Sequence, residues 1–313
     1  MKSTDISIVI RTLNEERYLP FLLNSIAAQK ETPRTEVIIV DSGSTDKTVA
    51  IAQHHNCRIL HIERHDFSFG RSLNLGCSAA QGKQLVFISG HCVPRDDFWL
   101  ARITEQLRLN TVDLTYGRQV GGPRTQISEN RIFSKYFPAQ SKIPQLGFFC
   151  NNANSAINAR TWAQYRFDED LTGLEDIHLA KRLVSEGGKV GYIADAAVFH
   201  YHEENWKQVE RRFEREALAL QRICPELIVS GSDLFRYLAA AIAGDLKHNL
   251  MHGYVLRNCY SIFRYRCAQY LGTWRGQYSH RRITQDLRDS YFYPTQARGL
   301  PLHLASDLWN TKL

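Results

Sequence analysis

Four clusters of side chains in this sequence have the types and spacing to do chemistry. Three follow apolar runs: Arg11-Thr12-Leu13-Asn14-Glu15, Asp41-Ser42-Gly43-Ser44-Thr45-Asp46 and Ser89-Gly90-His91-Cys92. The fourth is the acidic pair Glu175-Asp176 at the head of an amphipathic stretch. In an open parallel sheet, ligands bind beyond the carboxyl ends of the strands, so the first three clusters converge on one rim. Asp41 has two readings there. It accepts a hydrogen bond from a nucleobase N–H, or with Ser42 it turns the chain and caps the next helix. No G-x-G-x-x-G follows the first apolar run and no G-x-x-x-x-G-K-[ST] occurs, which takes most support from dinucleotide and P-loop readings. Glu175 and Asp176 fall in the first turn of a helix predicted over 174–185, whose apolar face reads Leu174, Ile177, Ala180 and Val184. The pair is therefore expected on the polar side, either facing a cleft or complementing the helix dipole.

Alternating apolar runs and amphipathic stretches supply the scaffold and argue for α/β architecture. Strands are predicted over 6–11, 36–40, 57–62, 84–89, 112–120, 153–158 and 190–202. Helices are predicted over 14–29, 46–54, 71–80, 97–109 and 174–185, with Ser44 or Thr45 capping the second. A loop-rich region is expected from Gly121 to about Gly147. From Glu203 the chain turns largely helical and rich in Arg, Tyr and Leu, so we divide it into 1–203 and a helical extension, 204–313. The first part splits into a nucleotide-binding half, 1–110, and an acceptor half, 111–203.

The 313 residues are 43% hydrophobic and 23% charged, enough for a real core. A net charge of +7 fits nucleic acid, an anionic membrane surface or phosphorylated ligands. The seven cysteines form no C-x-x-C pair, which points to free thiols in a reducing compartment rather than disulfides or a zinc ribbon. Neither a signal peptide nor a membrane span is expected.

Six segments, taken in order, resemble family 2 glycosyltransferases. Ser7-Ile8-Val9-Ile10-Arg11-Thr12-Leu13-Asn14-Glu15 is similar to that family's opening strand, and Val37 to Thr48 is similar to its V-D-[DS]-G-S-T-D-x-T segment. Asn74-Leu75-Gly76, Ala80-Gln81-Gly82 and Val86-Phe87-Ile88 follow in the family's order, and Leu174-Glu175-Asp176 with Leu179 and Arg182-Leu183 resembles its later E-D motif. The resemblance covers about residues 5–205. It implies a GT-A fold and a nucleotide-sugar donor, UDP-sugar first and dTDP-sugar next. Thr12, Glu15 and Asp41 would hold the nucleoside, with Asp41 facing a uracil-like base. Ser89 would join the donor site. Arg71 would approach the diphosphate or base, a task for which a guanidinium fork is apt. Asp176 would be the base that deprotonates the acceptor hydroxyl, with Glu175 nearby for acceptor hydroxyls. Phe148 to Asn154 lies where the family builds part of its acceptor pocket.

One departure matters. The family usually has D-x-D at strand four, where carboxylates hold a divalent cation, but this chain has Ser89-Gly90-His91. Some relatives also use a histidine downstream of the E-D pair, a position His200 occupies, with His202 on the same side by period-two alternation. Three readings stay open. His91 and His200 bind Mn²⁺, Mg²⁺ or a softer ion; or the histidines and nearby arginines hold the diphosphate without metal; or His91 and His202 are structural. Imidazole favours Mn²⁺ or a softer transition metal over the hard Mg²⁺.

The expected function is an inverting glycosyltransferase acting on a saccharide or lipid-linked saccharide in surface polysaccharide synthesis, capsule included. It is expected in the cytoplasm, at the inner face of the membrane. The basic and aromatic tail over 234–270 either packs on the core or attaches peripherally to an anionic membrane. It carries no nucleic-acid recognition motif, and Gln208 to Phe213 does not fit the Q-x-x-R-W pattern of processive relatives. The rivals are a nucleotide-sugar-binding homologue with a decayed metal site, and a nucleotidyltransferase. The latter would need a Gly-rich basic loop where Leu13-Asn14-Glu15 stands.

Overall fold

The computed structural model of the chain describes residues 4–227, 229–251, 258–278 and 291–293. Tyr254, Leu256 and Arg257 of the basic, aromatic tail, and most of the chain beyond Tyr278, lie outside the described residues.

The first half alternates strand and helix. Its elements are β1 (Ile6–Thr12), α1 (Leu19–Ala27), β2 (Thr35–Asp41), α2 (Thr48–His54), β3 (Arg58–His61), α3 (Phe69–Ala79), β4 (Gln84–Ile88), β5 (Cys92–Pro94) and α4 (Trp99–Arg108). There follow β6 (Leu114–Gly121), α5 (Ile127–Tyr136), β7 (Asn154–Asn158), α6 (Ala159–Tyr165), α7 (Glu175–Ser185) and β8 (Val190–His200). Three helices follow, α8 (Trp206–Ile223), α9 (Gly231–Met251) and α10 (Cys259–Tyr278). The strands form one sheet in the order β3-β2-β1-β4-β7-β6-β8-β5. Among the described residues, four pairings are parallel and three antiparallel.

Burial on both faces explains why apolar residues dominate β1 and β4 without alternation. One face packs Ile8, Ile10, Leu22, Ile39, Trp99 and Ile103; the other packs Val9, Ile38, Leu73, Phe87, Trp162 and Leu179. All seven cysteines are free. No helix among the described residues is long and apolar enough to cross a membrane.

Several expected boundaries move. α1 begins at Leu19 rather than Asn14, because Asn14 sits in the left-handed region at φ 57° and the residues before Pro20 brace a neighbouring loop. Neither Ser44 nor Thr45 caps α2; Asp46 Oδ1 accepts from the Thr48 amide at 2.9 Å instead. The region expected to be loop contains α5, and α6 also went unread. β5 was missed too: three residues ending in proline carry almost no strand pattern. The strand predicted to reach residue 202 stops at His200.

Candidate active site

The rim beyond the strand ends is built from two interlocked loops. Asn14 N–H donates to Ser44 Oγ at 2.8 Å, and the Thr45 amide donates to Asn14 Oδ1 at 2.8 Å. The Glu15 amide donates to Thr48 Oγ1 at 2.7 Å, and the Glu16 amide to Asp46 Oδ2 at 3.1 Å. Gly43, at φ 97°, turns the second loop through a conformation that a Cβ would strain. Asp41 is the hub. It is 1% exposed, and its carboxylate accepts from Thr12 Oγ1 (3.0 Å), the Gly43 and Ser44 amides (3.0 Å each) and Ser44 Oγ (2.5 Å). Thr12 and Asp41 therefore meet as expected, but Asp41's oxygens are engaged within its own turn.

Glu15 lies elsewhere. Its Oε1 is 2.7 Å from His91 Nδ1. Gly90 makes this approach possible, since a Cβ there would stand 2.8 Å from Glu15 Cγ. Ser89 closes the end of β4: its amide donates to the Ala153 carbonyl at 3.3 Å and its carbonyl accepts from the Cys92 amide at 2.9 Å. Arg71 is not brought to the other site residues. Its guanidinium pairs with Glu169 at 2.9 Å and with Asp66 at 3.7 Å.

Arg11 is the cation beside the acidic pair, and its type and position at a strand end were the available signal. Its Nη1 lies 3.4 Å from Glu175 Oε1, and its guanidinium packs 4.6 Å from the Phe69 ring centre. Arg215 of α8 packs on the same ring at 4.6 Å, and burial depresses its pKa first of all.

Glu175 and Asp176 are buried, 4% and 7% exposed, and so lie on the inward side of the helix rather than its expected polar side. The buried stripe of α7 is Glu175, Asp176, Leu179, Ala180 and Leu183, so the pair heads the inward face. Leu174 turns the chain into the helix at φ 57°, a left-handed conformation that costs a non-glycine residue about 1–2 kcal/mol. Asp176 Oδ2 accepts from the Asn152 amide at 2.8 Å, and Oδ1 from its neighbour Ile177's amide at 2.7 Å. Burial, then the adjacent Glu175 charge, push the Asp176 carboxyl up to about 7, against the pull of those two amides and Arg11. A carboxylate poised near neutrality suits proton abstraction. Asn152 belongs to the aromatic and amide-rich segment before β7, in which Phe149 stacks on Tyr136 at 5.4 Å.

Across the sheet, β5 pairs antiparallel with β8 and sets Cys92 opposite His200. This short pairing joins His91 to His200 and His202, with ring centres 5.1 and 5.7 Å apart. His200 Nδ1 lies 2.7 Å from Gln119 Oε1, and His202 Nδ1 lies 2.7 Å from Glu129 Oε1. A bulge aims Gln119: Gly117 pairs with Ile193 but Gln119 with Val198, so two residues of β6 span five of β8. Gln119 Nε2 then donates to Asn151 Oδ1 at 2.9 Å, linking the histidines to the loop that holds Asp176. Burial, reinforced by His202, His91 and Arg212, holds His200 well below the ordinary imidazole pKa, so it is neutral. Its Nε2 is buried with no hydrogen-bond partner among the described residues. An orphaned acceptor beside two more imidazoles fits a cation ligand. Burial works against the charge of His91, but Glu15 outweighs it and raises the pKa.

A mostly parallel first half, an antiparallel continuation and an acidic pair at a helix head match the GT-A class of glycosyltransferase. The chain belongs to glycosyl transferase family 2, whose family-wide sequence model matches residues 7–168. It is 26% identical over 220 residues to the O-antigen chain rhamnosyltransferase RfbN of Salmonella typhimurium, spanning 66% of this chain and 70% of that one. It is 27% identical over 201 residues to rhamnosyltransferase WbaN of Salmonella anatum, where the match spans 60% of this chain and 63% of that one. Among solved structures it resembles the mannosyltransferase PcManGT of Pyrobaculum calidifontis, in complex with GDP-Man and Mn²⁺. The TM-score there is 0.61 at 17% identity, over 90% of this chain and 89% of that one. TarS 1-349 of Staphylococcus aureus shares the fold at a TM-score of 0.51 and 17% identity, over 90% and 95% of the two chains.

Proposed function

We propose that this glycosyltransferase moves a sugar, with inversion, from a nucleotide-sugar donor to a saccharide or lipid-linked saccharide of a surface polysaccharide. The observation that carries this is the buried Asp176, held by the Asn152 amide and raised toward neutrality. It stands beside a Glu175–Arg11 contact that is one residue along β1 from the Thr12–Asp41 hub. Asp176 takes the proton of the acceptor hydroxyl while the hydroxyl oxygen bonds to the anomeric carbon. The bond from that carbon to the diphosphate breaks on the opposite face, and its electron pair leaves with the nucleoside diphosphate. The departing group is already acidic, so stabilisation of its charge matters more than protonation. Arg11 and Arg215 are the nearby guanidinium groups for that task. UDP-sugar is the donor we favour.

His91 and His200 are the residues that would hold a divalent cation. Such an ion, when bound, offsets the negative charge of the leaving diphosphate. Arg71, paired with Glu169 and Asp66, reaches a donor only if those pairs open.

The extension after residue 203 is proposed to bring the enzyme to an anionic membrane surface, where a lipid-linked acceptor resides. The supporting feature is α9, which buries Asp245 and Asn249 while leaving Phe235, Leu250 and Met251 about 70% exposed (71%, 69% and 74%). Location at the cytoplasmic face follows from that reading.

A thermal-shift and product-release screen over nucleotide sugars tests the function. Selective stabilisation by one donor is expected, because ligand at about 100 times its Kd adds about 2.7 kcal/mol to the native state. Release of the nucleoside diphosphate with an acceptor present should accompany it. Cleavage of a nucleoside triphosphate to pyrophosphate, without either result, would overturn the proposal.

A further inference from the structure

We propose that His91, His200 and His202 form a three-imidazole centre that selects a borderline transition ion such as Co²⁺ or Zn²⁺ and rejects Mg²⁺. The role of that ion at the donor rests on the glycosyl-transfer reading above; its binding does not.

One ligand atom from each ring lies within 4.8 Å of the others. Pairing of β5 with β8 supplies His91, and His202 follows His200 by two residues. Each Nδ1 faces an acceptor at 2.7 Å: Glu15 for His91, Gln119 for His200 and Glu129 for His202. With Nδ1–H donated outward, a ring that gives up its second proton presents its Nε2 lone pair to an ion. The orphaned Nε2 of His200 marks that inward side. Partners of this kind fix ring orientation and tautomer and raise ligand basicity at metal sites.

The outer layer is itself anchored. Glu129 accepts from both His202 and Arg212, and Arg212 also grips Glu204 at 2.7 Å. Glu129, His202 and Glu204 also lie within ligand distance of one another. Their carboxylates are already paired with Arg212, so that group positions His202 rather than forming a second site.

The ligand chemistry sets the selectivity. Neutral nitrogen ligands bring no negative charge, whereas Mg²⁺ demands oxygen ligands and gives up water reluctantly. Imidazole suits Zn²⁺ and its neighbours, and affinity at a nitrogen site rises from Mn²⁺ toward Co²⁺ and Zn²⁺.

The test is binding of Co²⁺ alone to the metal-stripped full chain. It is followed by visible absorption and by metal content after equilibrium dialysis, with the thermal unfolding of each variant recorded. One Co²⁺ per chain is expected, displaced by equimolar Zn²⁺ and retained in about a hundredfold excess of Mg²⁺. His202→Ala should weaken Co²⁺ binding at least about tenfold, and Gln119→Leu by about 10–100-fold through loss of an orienting partner. Should either variant unfold, His91→Ala at the more open edge of the cluster supplies the same comparison. Absence of bound Co²⁺ in the folded wild type, displacement by Mg²⁺, or unchanged binding in folded His202→Ala would overturn the proposal. Asp176→Asn should keep the Co²⁺ spectrum, so a failure of the catalytic reading leaves this measurement intact.

Discussion

Asp176 accepts a proton only when ionised, and its surroundings decide when that happens. Burial and the Glu175 charge raise its pKa to about 7, so the protonated form dominates below neutrality. The pH profile of kcat/KM should therefore rise through about 7 and level off above it. Removing the like charge with Glu175→Gln should move this acidic limb to lower pH, while Arg11→Met, which removes the compensating cation, should move it higher. Limbs that stay in place in both variants would show that another group governs the rate. The same shift has a stability consequence of known sign. A carboxyl whose folded pKa lies above its unfolded value of about 3.9 favours folding when protonated. That contribution is complete below about 3.9 and is lost as pH rises through about 7. The acidic pair was legible in the sequence because it opens a helix. Its burial was not, since the apolar face read from Leu174, Ile177 and Val184 is rotated from the stripe that packs. Arg71 and Arg11 could not be ranked from pattern either. Glu169, the carboxylate that ties up Arg71, is far away in sequence.

At the scale of elements, the loops after β1 and β2 act as one part. Most polar residues of the V-D-S-G-S-T-D segment bond to the Asn14-Glu15-Glu16 loop or to their own turn. The pattern that identifies the family is thus largely a brace that holds the rim in shape. Asn14→Ala should cost about 1–2 kcal/mol for the left-handed backbone and about 1 kcal/mol more for the lost bond to the Thr45 amide. Asn14→Gly keeps the backbone free and should cost about 1 kcal/mol, from the bond alone. Equal losses for both in urea unfolding would remove the backbone contribution. The strands at the centre of the first half were readable because their buried stretches, Ile8-Val9-Ile10 and Ile38-Ile39-Val40, are apolar on both faces. β5 was not, although its pairing with β8 assembles the histidine cluster. The irregularity in β8 opposite Gln119 likewise leaves no mark in composition.

Over the whole molecule, the rim that carries the candidate site and the terminal helices are tied together by charge. Arg212 of α8 grips Glu129 and Glu204 beside the histidines, and Asp245 of α9 is held between Arg131 of α5 and Arg266 of α10, each at 2.7 Å. That polar seat turns the apolar side of α9 outward. Binding to vesicles with anionic lipid should be strong at about 0.1 M salt and fall steeply near 1 M, where the screening length drops from about 10 to 3 Å. Phe235→Glu should weaken it by about tenfold or more. Equal binding to neutral vesicles at both salt concentrations would remove the electrostatic part of the attachment. The helical character of this region was plain from composition, but its inverted burial depends on Arg131, which no local pattern connects to Asp245. The central claim is that one rim holds the donor while Asp176 activates the acceptor. Measuring donor affinity by calorimetry and turnover by nucleoside diphosphate release, side by side in wild type and Asp176→Asn, separates the two roles. We expect turnover to fall by about 10²–10⁴-fold with donor affinity within about twofold. Wild-type turnover in the variant would contradict the account.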